Sequence, residues 1–189
     1  MAFESFDARA EFDARPYVAE CPSDDHTRAM FYDLIRRAYD RTGQAAPDFP
    51  QIPFAKVERR AYNAALFQAC EDLSPEVPLA SALFELGRGL YPHFASTMVG
   101  KAIFSVAGRD CPAMARLAPR AYAVCNGHGT LEVLHAQPGL VHVSFDDVWD
   151  PLPFTCGIWR GGLDVCGIEP AEFEIDRLSP VRYELRIGY

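Results

Sequence analysis

The sequence predicts an α+β domain in which N-terminal helices pack on a C-terminal four-stranded antiparallel sheet, arranged β-β-α-β-β. Three observations lead there. Up to about residue 125, apolar residues recur three and four apart, whereas after "CNGHG" they alternate. The alternating stretches come in pairs around the short turns "QPG" and "SP", the signature of hairpins. Between the two pairs lies an apolar, glycine-bearing stretch, "TCGIWRGGLDVCG". Residues 1–20 read as an arm and residues 21–189 as a single domain, with a helical part over 21–125 and a sheet part over 126–189.

Chain length supports this reading. A chain of 189 residues buries roughly 70% of its unfolded surface and needs no disulfide or zinc staple. The six cysteines form no Cys-x-x-Cys pair, and no Cys/His knuckle of zinc spacing is present. They are expected as buried thiols of a cytoplasmic protein, since the acidic N-terminus resembles no secretory signal. A net charge of −8 disfavours nucleic acid, which is bound by neutralising phosphates with Lys and Arg. The local clusters Arg36, Arg37, Arg41 and Lys56, Arg59, Arg60 are interspersed with acids and read as solvated helix faces. No segment approaches the ~18 consecutive apolar residues of a membrane span.

Along the chain, Phe3, Phe6 and Phe12 punctuate the arm, which could pack as a terminal strand or helix or remain loose. "CPSDDHTRAMFYDLIRRAYDRTG" reads as the first helix, with Ser23 or Asp24 as N-cap and Gly43 ending it. Met30, Phe31, Leu34, Ile35 and Ala38 form its apolar face. A second helix is expected from about Phe54 to Leu73, a third over Leu79–Tyr91 and a fourth over Phe94–Val106. A short fifth begins near Asp110-Cys111-Pro112, where proline suits a first turn. The hairpins are 130–136 with 140–148, and 171–178 with 181–189. If 137–139 form the first turn, His135 and His142 face opposite sides of the sheet, which argues against a shared metal.

In the stretch between the hairpins, Gly157, Gly161 and Gly162 fall inside an expected helix, where each glycine costs about 1 kcal/mol against alanine. Gly157 and Gly161 are four apart and share a face, a spacing that lets a helix backbone approach a neighbouring backbone or sheet closely. The alternatives fail on spacing. The stretch lacks G-x-G-x-x-G and the Walker lysine. Cys156 and Cys166, ten residues apart, would be separated by ~15 Å along a helix, too far to share an ion.

No catalytic signature emerges: there is no G-x-S-x-G elbow, and Ser96, Ser105 and Cys125, each a candidate nucleophile, need a positioned base that the sequence does not identify. Asp146, Asp147 and Asp150 around Trp149 form an acidic loop, a candidate for cation binding without the EF-hand pattern. His93 could serve as an axial haem ligand, but after Pro92 a capping or surface histidine is equally natural. Cys21-Pro22 and Cys111-Pro112 resemble short haem-binding motifs, and each also fits a helix start. Phe94, Met98, Phe104, Phe154 and Trp159 are the candidates for lining an apolar pocket beside the sheet.

The runs "CPSDDHTRAMFYDLIRRAYDRTG", "ALFELGRGLYPHFASTMVGKAIFSVAGRDCPAMARLAPRAYAVCNGHG" and "FTCGIWRGGLDVCGIEP" together resemble a paralogous family of myxobacterial proteins of about this length with no assigned function. That family's layout is similar to a wider group of 4-vinyl-reductase-type domains, haem nitric-oxide-binding domains and small Golgi-transport tethering subunits. The resemblance implies a ligand-sensing or protein-interaction domain, often dimeric, and transfers no catalytic residue or metal. The expectation is therefore a non-enzymatic regulatory domain for a small apolar ligand or a protein partner. A pure interaction or homodimerisation module is the alternative.

Overall fold

A computed structural model describes residues 3–169 and 171–189. The chain opens with strand β1 (Glu4–Ser5) and a single helical turn, α1 (Pro16–Ala19). Strand β2 (His26–Arg28) comes next, then a tight 3-10 turn over Ala29–Phe31 and helix α2 (Tyr32–Thr42). This differs from the expected helix start at Ser23 or Asp24. Residues 26–28 are extended because strand β3 (Lys56–Glu58) pairs with them antiparallel, Thr27 opposite Val57. The fully buried Thr27 hydroxyl also donates to Asn126 Oδ1. The apolar periodicity belongs to the turn and helix beyond the strand. Gly43, at φ +71°, ends α2 in the left-handed region open to glycine.

Helix α3 (Arg59–Leu73) begins five residues later than Phe54, since 56–58 are taken by the strand pair. Helix α4 (Leu79–Ser96) runs unbroken through Pro92, where the spacing predicts a boundary. Helix α5 (Met98–Phe104) is separate, with Thr97 Oγ1 accepting from the Gly100 N–H at its start. Helix α6 (Cys111–Cys125) is capped by the Asp110 carboxylate on Ala113 N–H, with Pro112 in its first turn. Then come strands β4 (Thr130–Gln137) and β5 (Leu140–Asp146), helix α7 (Leu152–Cys166), and strands β6 (Glu172–Ser179) and β7 (Arg182–Gly188). No helix among the described residues is long and apolar enough to cross a membrane.

The α+β layout is as expected, except that the main sheet has five strands in the order β1-β6-β7-β5-β4. The fifth comes from the arm: Glu4 pairs with Ile175 and Ser5 with Glu174. Two paired residues leave no alternation to read in the sequence. The first hairpin also closes more tightly than expected. Gln137 pairs with Leu140 across a two-residue Pro138-Gly139 turn, and a bulge falls between Val133 and His135. His135 and His142 are thus direct partners on one side of the sheet. His142 is engaged with Glu184 at 2.8 Å, and no group of three histidine, cysteine or carboxylate side chains that could hold a metal ion converges among the described residues.

Val141, Val143 and Phe145 with Tyr183, Leu185 and Ile187 form a buried inner face. Helix α7 covers it through Leu152, Cys156 and Leu163. Its other flank presents Phe154 to the helical layer, so α7 is the middle of three layers. Its glycines meet α4 rather than the sheet. A Cβ on Gly157 would lie 2.0 Å from Phe84 O, and one on Gly161 2.2 Å from Arg88 O. Reciprocally, one on Gly87 of α4 would lie 2.2 Å from Phe154 O. Proline at 92 deprives the Arg88 carbonyl of its helical donor, and this is the carbonyl that Gly161 approaches. Arg88 then reaches α7 through its side chain, donating to Asp164 at 2.5 Å.

Gly162 is different: its nearest neighbour is the Tyr91 ring at 3.5 Å, ordinary contact. Gly157→Ala is therefore expected to lower unfolding free energy by about 3 kcal/mol, because backbone must move. Gly162→Ala is expected to stay within about 1 kcal/mol of the parent, on the stabilising side. Urea unfolding of the two variants measures the contrast.

Candidate functional site

The three layers do not fill the space between α6 and α7. A cavity of about 140 Å³ remains there, walled by side chains from both layers. Phe31, Leu90 and Phe94 come from the helical layer, Phe145 and Leu131 from the sheet, and Ile158 and Trp159 from α7. Ala115, Ala118 and Ala121 line the α6 side. At a spacing of three they present one small-residue face, which is why a hollow persists where larger side chains would close it.

One end of the cavity is polar. Arg59, the first residue of α3, is 1% exposed. It donates to Asp150 Oδ1 at 2.6 Å and to Asn126 Oδ1, and its Nε lies 3.5 Å from Asp25 Oδ2. Burial pushes the Asp25 carboxyl up from the ordinary carboxylate range, against the opposing pull of the Arg59 charge. Behind this cluster, the Asn63 amide donates to Tyr17 O at 3.0 Å and Trp149 O at 2.8 Å. Three separate stretches thus converge on the guanidinium at the start of α3: the turn before β2, the loop after α6 and the loop after β5.

Of the residues expected to line a pocket, Phe94, Phe104, Phe154 and Trp159 do so. Met98 does not: it is 86% exposed, because the cap at Thr97 starts a new helix and turns its first residue outward. Gly162 also contributes to the wall. His93 lies outside it, with both ring nitrogens buried and meeting no hydrogen-bond partner among the described residues. Burial, then the nearby Arg37 charge, pushes its pKa below the ordinary imidazole value. The acidic loop is dispersed: Asp146 pairs with Arg182, Asp147 accepts from the Trp149 indole, and Asp150 meets Arg59.

Arg59, Tyr62 and Asn126 are not legible in the sequence as site residues, and Asp150 is legible only as part of an acidic loop, not as the partner of a buried arginine. Arg59 sits in a basic run that reads as solvated, and its burial comes from partners 34 to 91 positions away. The alanine spacing on α6 is the one available signal for a hollow.

This geometry defines a class: an α+β domain with a cavity between a helical layer and an antiparallel sheet. Its fold is similar to that of H-NOX proteins. An Fe(II) unliganded H-NOX variant from K. algicida superposes with a TM-score of 0.64 at 9% identity, over 85% of this chain and 95% of that one. An oxygen-binding H-NOX domain related to soluble guanylate cyclases gives 0.59 at 13%, over 84% and 90%. An H-NOX protein from S. oneidensis in the Fe(II)NO ligation state gives 0.54 at 9%, over 85% and 98%. A search of curated protein sequences finds no match. The chain itself belongs to the family described as "Protein of unknown function (DUF2378)", matched over residues 26–188.

The wall does not suit haem. Haem iron is held by imidazole, thiolate, phenolate or a methionine–histidine pair, and no histidine is among the wall residues. Burial pushes the Cys111 thiol up and holds Cys125 at about 11, so neither is a thiolate near neutral pH. Burial likewise raises Tyr62, Tyr91 and Tyr122. Arg59, the cationic residue of the wall, is already engaged by two carboxylates.

Arg59→Met strands two buried carboxylates and is expected to cost about 3–5 kcal/mol in urea unfolding. For His93, the fold favours the neutral ring, so the unfolded chain takes up the proton first as pH falls below about 6.5. Stability then declines from that pH down through the lowered folded-state pKa. His93→Gln is expected to remove that part of the slope in urea midpoints measured between about pH 5 and 7.

Proposed function

We propose that this domain is a non-enzymatic regulatory sensor that holds a small, largely apolar ligand in the cavity between α6 and α7. The observation that carries the reading is the cavity itself. Its wall is aromatic and aliphatic over most of its surface, with polar groups gathered at one end, the usual composition of a ligand pocket. The likeness to H-NOX folds supports the reading, because several of those proteins are named for a bound small ligand. Haem is not the ligand proposed, because the wall offers its iron no imidazole and no ready thiolate or phenolate.

At about 140 Å³, the cavity matches the size at which engineered apolar cavities take up benzene. Benzene in excess is accordingly expected to raise the stability of the protein, by about 2.7 kcal/mol at a hundred times its Kd. Ala118→Leu, which puts three carbon atoms into the hollow, is expected to abolish that rise. Protein expressed with haem supply is expected to show no Soret absorbance, and native mass spectrometry to show no haem adduct. A stability unmoved by benzene in the parent, or a stoichiometric haem adduct, would overturn this reading.

A further inference from the structure

Cys166, too far along α7 from Cys156 to share an ion, meets other sulfurs across the interface with α6. Its thiol lies 3.6 Å from the Met114 thioether. It is also within hydrogen-bonding reach of the Cys111 thiol, on which the Tyr189 hydroxyl converges as well. Cys111 and Met114 are three apart on α6 and so share one face. The chain carries six cysteines and four methionines, and three of these sulfurs gather where the first turn of α6 meets the end of α7. Of the six cysteines, Cys166 alone is not buried, which places the cluster near the surface.

The donor set selects the kind of ion. Two thiols and a thioether, with no imidazole among them, are soft donors. Calcium and magnesium take oxygen ligands, and structural zinc takes four, drawn from thiolate, imidazole and carboxylate. Asp110, the carboxylate beside Cys111, is spent as the cap of α6 on the Ala113 N–H. Thiolate together with thioether suits Cu(I). The spacing suits it too: sulfurs about 2.3 Å from one ion and spread trigonally around it stand about 4 Å apart, close to the separation of Cys166 and Met114. Burial raises both thiols, Cys166 to about 12, while the nearby Arg109 charge lowers Cys166. A cation between the two sulfurs offsets the cost of ionising them, and Arg109 balances the single negative charge that two thiolates and one Cu(I) leave.

We propose that Cys111, Met114 and Cys166 form a binding site for one Cu(I) ion. Both thiols lose their protons to water as the two copper–thiolate bonds form, the thioether supplies a third electron pair, and copper keeps its oxidation state. The bound ion fastens the first turn of α6 to the end of α7, the two helices that flank the cavity. The site stands independently of the reading of that cavity as a ligand pocket.

Cu(I) added to the parent protein without oxygen, in competition with the chromophoric chelator bicinchoninate, tests the site. One ion per chain is expected to pass from chelator to protein, and Zn(II) is expected not to displace it. Iodoacetamide reads the location: Cys166 is expected to be alkylated in the metal-free protein and protected once copper is bound, with peptide mass spectrometry placing the label. Cys166→Ser is expected to surrender the ion to the chelator. Met114→Leu, which conserves volume, is expected to weaken binding at least about tenfold, a loss that follows even from removing a group outside the ligand shell. Cys70→Ala, in the helical layer, leaves the affinity unchanged.

Retention of all copper by the chelator, displacement by Zn(II), or alkylation of Cys166 at one rate with and without copper would each overturn the site. So would copper binding unmoved by Cys166→Ser or by Met114→Leu. The first three outcomes are read in the parent protein, so a variant that folds poorly leaves the decision intact. None of them bears on benzene binding, which tests the cavity separately.

Discussion

The backbone contact between α4 and α7 is the constraint on which the rest of the structure depends. Gly87, Gly157 and Gly161 remove the side chains that would otherwise hold the two helices apart, and each faces a carbonyl of the opposite helix. Close approach of this kind recovers, through dispersion over many atom pairs, the entropy that glycine gives up inside a helix. It draws α7 into the helical layer while its other flank remains on the sheet. The helical layer and the sheet are thereby fastened to one shared element, which sets the geometry of everything between them.

The cavity is the first consequence. Helix α6 also packs on the sheet, through β4, but it presents alanines toward α7. A tight contact on one side of α7 and small residues across the other leave a hollow that neither layer closes. The buried Arg59 cluster then ties its polar end together. Such an ion cluster is a poor source of net stability, because the cost of removing charges from water rivals their attraction. Its physical effect here is geometric. Three chain segments distant in sequence must sit where one planar guanidinium can meet them, and that determines where the wall stands.

The likeness to H-NOX proteins illustrates how far fold and chemistry separate. The layer arrangement is shared at 9 to 13% identity, a level at which the positions that carry chemistry are free to differ. Here the wall holds protonated thiols and phenols, and the five histidines of the chain lie elsewhere. The same scaffold is compatible with a cavity ligand held by contact rather than by a bond to haem iron.

The sequence by itself determined what is periodic and local. The helix-to-strand change near residue 125, the two hairpins, the stop at Gly43 and the helix start near Cys111-Pro112 all rest on interactions spanning a few residues, so spacing alone reveals them. Four of the five proposed wall residues were also legible, because large apolar residues on helix faces beside a sheet have few places to go. Only the tertiary structure decided the rest. The strand over 26–28 exists because 56–58 lie beside it, the fifth strand because the arm reaches β6, and the close approach of α4 and α7 because glycine at 157 and 161 leaves room for the Phe84 and Arg88 carbonyls. Arg59 became a buried hub for the same reason: its partners are contributed by segments far away in the chain, and burial of a charge is a property of the assembled layers rather than of any stretch of residues.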